Sequence, residues 1–386
     1  MKRRSLVAAL TASALVLAAC GGDDDAESTA TTEAAAATTE AAAETTMAPE
    51  TTMATETTMA PETTMAPETT MATETTMASG DVDKSDWPDE LVFTLTPSQE
   101  TGGLIETAQP LADLLAENLG IDVEALVPSD YAGVIVALQS GQAQVAGGLG
   151  PAQMVQAADD AGADLILQAV RFRNSQYVTQ WMTNNPDEFC AEEPVDVVDE
   201  EDGTIMKFCN GVDQATDPAQ GPIGTEFIPN VAGKTVAFVD QGSTSGYLIP
   251  ALELIQNGVD PLDDIESLFA GGHDASVQAV YDGDAEVGVS FNDARGTLLE
   301  TTPDVGEKVV VWGWSSPIPN DGFAVAGDLP QSLKDAITQA FIDIAATEDG
   351  ATLLTELYDI DGLVPVPAGS YDIIRDLNTE LSDLLS

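Results

Sequence analysis

The sequence predicts an α/β protein of two similarly built lobes, carried at the end of a long segment that has no core of its own. Three observations lead there. From about residue 88 onward, short β-rich runs alternate with helical patterns. A helix, a glycine turn and a strand occur twice in register: Ala137, Leu138, Gly141, Ala143 and Val145 return as Ala279, Val280, Gly283, Ala285 and Val287, at a constant offset of 142 residues. The first 85 or so of the 386 residues read as export and tethering, which leaves about 300 for two ordinary domains.

At the N-terminus, Lys2, Arg3 and Arg4 precede the apolar run "LVAALTASALVLAAC". The run is too short to span a bilayer and ends in small residues, so residues 1–19 read as a secretory signal. Leu17, Ala18, Ala19 and Cys20 resemble the lipobox of bacterial lipoproteins, which implies cleavage before Cys20 and acylation of its thiol. The alternative is an ordinary secreted protein with a stray cysteine. Residues 20–86 then form a linker in which "ETTMAP" or "ETTMAT" recurs every six residues, with too little apolar surface to fold or to stack as a solenoid. As a flexible coil this leash reaches on the order of 45 Å.

In the core, "ELVFTL" reads as a strand and "GLIETAQPLADLLAENLG" as a helix closed by Gly120. "DYAGVIVALQSGQAQVAGGL" is a helix followed by a strand, matched later by "HDASVQAVYDGDAEVGVSF". "GKTVAFVD" and "QGSTSGYLIPALELIQNG" give the second half its own strand, loop and helix, echoing residues 90–120.

Charge and composition exclude several functions. With 66 acidic and 12 basic residues the net charge is −54, and clustered Lys and Arg for nucleic-acid phosphates are absent. Cys190 and Cys209 are the remaining cysteines of an exported chain and are expected to form a disulfide, with the acidic residues between them a surface excursion. Two cysteines and the single His273 do not make a zinc site, so no metal or cofactor is expected.

The stretch "DQGSTSGYLIP" places Ser243, Thr244 and Ser245 between a strand and a helix expected to start near Tyr247, with Pro250 in its first turn. Free backbone N–H groups, the positive end of a helix dipole and hydroxyl donors together suit an anion. Plain N-capping accounts for the same residues, and both readings stand at this point. Two catalytic outlines fail: Thr244 sits where a nucleophile elbow needs serine, and "GKT" at 233–235 precedes its strand instead of following it. His273, after two glycines at a helix start, is either a structural histidine or an oxyanion donor.

The elements "DYAGVIVALQSGQAQVAGGLGP", "STSGYLIP", "GGHDASVQAV" and "SPIPNDGF" resemble, in order and spacing, the substrate-binding proteins of phosphonate, phosphate and phosphite ABC importers over essentially all of residues 88–386. The resemblance implies a periplasmic binding protein type II fold. Its ligand cleft would lie between lobes joined by two hinge crossings, with residues 87–178 and 322–386 in one lobe and 179–321 in the other. It implies that Ser243, Thr244 and Ser245 hold the phosphorus-bound oxygens, with Tyr131, Tyr177 and His273 completing the set and Ser98 as an extra donor. It puts the amine-binding carboxylates at Asp293 and Asp321, although 293 carries aspartate where the aminoalkylphosphonate binders have glutamate. No lysine or arginine falls in these elements, so the socket is expected to consist of neutral donors and one imidazole.

The function implied is a lipid-anchored, monomeric receptor that catalyses nothing and delivers a phosphonate, aminoalkylphosphonates among the candidates, to a membrane permease. A receptor for phosphate, phosphite or a sulfonate, a secreted hydrolase using His273, and a surface-display protein are the competing readings.

Overall fold

The computed structural model describes residues 83–99, 101–200 and 202–384. The expected signal segment, Cys20 and the six-residue repeat lie outside them. Among the described residues, no helix is long and apolar enough to cross a membrane.

Two sheets organise the molecule. In the first, the strand order is Gly362–Pro365, Asp164–Val170, Gly322–Val325, Val145–Leu149, Glu90–Leu95, Asp122–Leu126. In the second it is Glu266–Phe269, Thr235–Phe238, Val287–Phe291, Thr179–Thr183, Val310–Trp314, Ile205–Phe208, Val195–Val198. Both follow one plan: three parallel strands, then one that runs antiparallel to its neighbours on both sides. That antiparallel strand is the first each sheet receives after the chain crosses from the other. The crossings themselves pair as a short ribbon, with Ile318 opposite Tyr177 and Pro319 opposite Gln176. This is the expected two-lobe α/β architecture.

The internal repeat is structural. Helices Tyr131–Gln139 and His273–Asp282 occupy equivalent places in the two lobes, each ending near a glycine in the left-handed region, Gly141 at φ 72° and Gly283 at φ 81°. Each is followed by a fully or almost fully buried strand, Val145–Leu149 or Val287–Phe291. The same offset therefore sets Tyr131 and His273 at the first positions of matching helices.

Apolar burial holds each lobe. Phe93, Leu111, Leu115, Phe323 and Phe341 fill the first, and Trp181, Phe189, Phe238 and Trp312 the second. A further cluster joins them: Tyr247, Leu248, Ala251 and Ile255 from the second lobe pack with Ile374, Leu377 and Leu381 of the C-terminal helix Asp372–Leu384. Cys190 and Cys209 form the expected disulfide. The acidic segment between them is more than a surface excursion, because Val195–Val198 and Ile205–Phe208 pair as a hairpin that extends the second sheet at its edge.

Candidate functional site

The loop after strand Thr235–Phe238 is shaped by its own side chains. The Gly242 N–H donates to Asp240 Oδ1 at 2.7 Å, and the Gly246 N–H donates to Ser243 Oγ at 3.1 Å. Ser243 thus caps, as one of the two sequence readings had it. The helix does not start at Tyr247, however: Thr244–Leu248 form one wide π turn, and Ile249–Gln256 continues as α-helix with Pro250 in its first turn. A side chain at Gly246 would collide with Val239, which explains the glycine of "STSG".

Thr244 does something else. Its Oγ1 accepts the N–H of Ala152, at the start of first-lobe helix Pro151–Asp159, at 2.8 Å across the cleft. A second bond crosses nearby, from the His273 N–H to the Ser98 carbonyl at 2.9 Å. The lobes are therefore in contact around a small cavity of about 40 Å³. On that measure a water needs about 10–15 Å³, so the space suits a compact ion and excludes a peptide or sugar.

Of the residues singled out from the sequence, Tyr131, Tyr177, Ser243, Thr244, Ser245, His273, Asp321 and Ser98 all line this cavity. The Tyr131 phenol lies against Ser243 and the Tyr177 phenol against Ser245, and burial pushes both upward, so both stay protonated donors. Tyr358, not singled out, closes one wall and donates to the Thr96 carbonyl at 2.8 Å.

His273 is buried, with its Nδ1 2.8 Å from Ser290 Oγ. Burial, reinforced by the Arg171 charge, pushes its pKa down to about 3, so the ring is neutral. In the tautomer whose Nδ1 accepts the Ser290 hydroxyl, the proton sits on Nε2 and the ring offers one N–H donor. The expected imidazole is present, and it carries no charge.

Two expectations fail. Asp293 does not line the cavity. Arg295, two residues on and 0% exposed, folds back and grips its carboxylate through Nε and Nη2, while Gln180 donates to Oδ1 at 3.1 Å. Burial alone would raise Asp293, but the Arg295 charge and these bonds outweigh it and hold the carboxyl below its ordinary value.

Nor is the cavity free of cations. Arg171 lines it, and its Nη2 donates to Asp321 Oδ2 at 2.9 Å. The sequence stretch "VRFRNSQY" lay outside the recognised elements. The available signal was position: Arg171 leaves the end of strand Asp164–Val170, and cleft ligands of open α/β sheets bind at such ends. The pair is incomplete, since Arg171 Nε and Asp321 Oδ1 are buried without a partner. Burial raises Asp321 despite Arg171. Neutral donors, one guanidinium and one paired carboxylate thus face a cavity of oxyanion size. Among the described residues no cluster of ligands suits a metal ion.

A profile of the family described as ABC transporter, phosphonate, periplasmic substrate-binding protein matches residues 93–371. The chain belongs to that family. It is a substrate-binding component of an importer and not an enzyme, and it acts outside the cytoplasm beside a membrane permease. It is 27% identical over 307 residues to the phosphate-import protein PhnD of Mycolicibacterium smegmatis, covering 75% of this chain and 85% of that one. To the phosphonates-binding periplasmic protein of Escherichia coli it is 22% identical over 283 residues, 72% of either chain. Among solved structures, the binding protein component of a Pseudomonas aeruginosa ABC phosphonate transporter shares the fold with a TM-score of 0.61 at 19% identity, over 76% of this chain and 87% of that one. PhnD1 of Prochlorococcus marinus, in complex with methylphosphonate, also gives 0.61, at 15% identity over 76% and 99%.

Proposed function

We propose that the protein captures a small phosphorus oxyanion that carries no ammonium group, such as phosphate, phosphite or a simple phosphonate, and hands it to its permease. One observation carries this: both carboxylates that the family resemblance assigns to an amine, Asp293 and Asp321, are already bound to arginines. An ammonium group would have to displace Arg171 from Asp321 and would find Asp293 outside the cavity. The oxyanion itself gains a guanidinium, the Ser243–Ser245 hydroxyls, two phenols and an imidazole N–H. Hydrogen bonds to charged groups contribute about 1.5–3 kcal/mol each, so a few suffice for micromolar affinity once association costs are met. The phosphate-import relative and the methylphosphonate complex of PhnD1 involve ligands without an amine, which supports the same choice.

The lobes close on the ligand by a hinge at the ribbon of Tyr177 and Ile318, and the protein works as a monomer held to the membrane through acylated Cys20. Calorimetric titration with phosphate, phosphite, methylphosphonate, 2-aminoethylphosphonate and taurine tests the ligand. The expected result is one-to-one binding of the first three, with 2-aminoethylphosphonate at least about tenfold weaker, or 1.4 kcal/mol. Preference for the aminophosphonate would overturn the assignment.

A further inference from the structure

The 142-residue offset that pairs Tyr131 with His273 also pairs Gln153 with Arg295, and both of these side chains are 0% exposed. Each follows the buried strand of its lobe, Val145–Leu149 or Val287–Phe291, and each ties separate stretches of chain together. Arg295 binds Asp293 and the Lys207 and Val309 carbonyls, and none of these residues lines the socket.

Gln153 does not line the socket either, yet all three of its partners do. Its Oε1 accepts the Thr96 hydroxyl at 3.0 Å and the Gly150 N–H at 3.1 Å, and its Nε2 donates to the Tyr131 carbonyl at 3.1 Å. The amide has one orientation here, because a backbone N–H cannot accept and a carbonyl cannot donate. The partners stand on three segments: the end of strand Glu90–Leu95, the turn into helix Pro151–Asp159 and the first residue of helix Tyr131–Gln139. The Thr96 hydroxyl and the Gly150 N–H are spent on Gln153, so this side chain shapes the wall and adds no donor to it.

We propose that Gln153 is a positioning residue, which fixes the first-lobe wall of the socket and the seat of Tyr131 beside Ser243 before an oxyanion arrives. The proposal rests on the oxyanion reading of the socket. Ordering a loose wall at the moment of binding would subtract from affinity, and a wall already tied by a buried amide spares that cost.

The test compares Gln153→Met with Arg295→Met, its counterpart in the other lobe, by phosphate titration and thermal melting. Both variants should melt earlier than wild type. Gln153→Met should bind phosphate about tenfold more weakly, or 1.4 kcal/mol, whereas Arg295→Met should stay within about twofold. Gln153→Glu gives a readout that lost stability alone would not move, and it keeps the test decisive if Gln153→Met folds poorly. Ionised at about pH 8, its carboxylate cannot donate to Tyr131, while protonated at about pH 5 it restores all three bonds. Its phosphate affinity relative to wild type at the same pH should rise several-fold on acidification and end above that of Gln153→Met. Phosphate binding within about twofold of wild type in Gln153→Met, equal loss in Arg295→Met, or no acid recovery in Gln153→Glu would overturn the positioning role. Silence of the wild type toward phosphate would overturn the oxyanion reading, and the role with it.

Discussion

Two aspartate–arginine pairs, Asp293 with Arg295 and Asp321 with Arg171, stand at positions of similar promise in the sequence and have different chemistry. Arg295 is saturated: Nε and Nη2 hold the carboxylate, and Nη1 donates to the Lys207 and Val309 carbonyls at 2.9 and 2.7 Å. Its carboxylate partner is held below the usual range against the cost of burial. Arg171 makes one such contact, both members line a cavity, and each keeps a buried atom without a partner. A saturated pair has nothing left to give a ligand. An unsatisfied one has already met the cost of burial and gains most when a ligand arrives.

The largest expected effect lies on the saturated side. Arg295→Met leaves Asp293 without its cation, and losses of about 3–5 kcal/mol are typical when one partner of a buried pair is removed. Chemical denaturation should show that loss, while oxyanion affinity of the folded protein stays near wild type. If affinity falls instead with stability intact, the two pairs are not different in kind.

Thr244→Val sets the neutral part of the socket against its charged part. It leaves the Ala152 N–H unpaired in the closed cleft, a cost of about 1–3 kcal/mol that should appear as weaker ligand binding with little change in melting temperature. A variant that binds as tightly as wild type would reduce "STSG" to a helix cap.

A third carboxylate sharpens the comparison because it has no cation. Half-buried Glu253 accepts the Trp181 indole N–H at 2.7 Å, and burial pushes its pKa up to about 7 despite that bond. A raised carboxyl favours the protonated native state. Its contribution is complete below the ordinary value of 4.5 and is lost as pH rises through about 7. Tryptophan fluorescence should therefore titrate near neutrality in wild type and stay flat over that range in Glu253→Gln. The same step in both would assign it elsewhere.

Much of this molecule was legible in the sequence. Strand Glu90–Leu95 and helix Tyr131–Gln139 follow from hydrophobic period and flanking glycines, and the 142-residue offset already paired the two lobes. Ser243, Thr244, Ser245 and His273 stood out as candidates because hydroxyls and the sole histidine sit at loop and helix starts where backbone N–H groups are free, although capping explained them equally, and Tyr131 and Tyr177 came from the family resemblance alone. Arg171 did not stand out, because its partner is 150 residues away and its own turn, with Phe172 and Arg173 at φ 51° and 62°, has no glycine to announce it. Asp293 misled for the opposite reason. Whether an arginine two residues on reaches back depends on the turn Ala294–Leu298, which hydrophobic period does not reveal.

The most direct test of the central claim is Arg171→Met, titrated with phosphate and with 2-aminoethylphosphonate beside the wild type. If Arg171 is the cation of the socket and the native ligand brings none, phosphate should lose about 1.5–3 kcal/mol of affinity. The aminophosphonate should then gain relative to phosphate, because Asp321 is freed for its ammonium group. Unchanged phosphate binding, or a wild type that already prefers the aminophosphonate, would contradict the account.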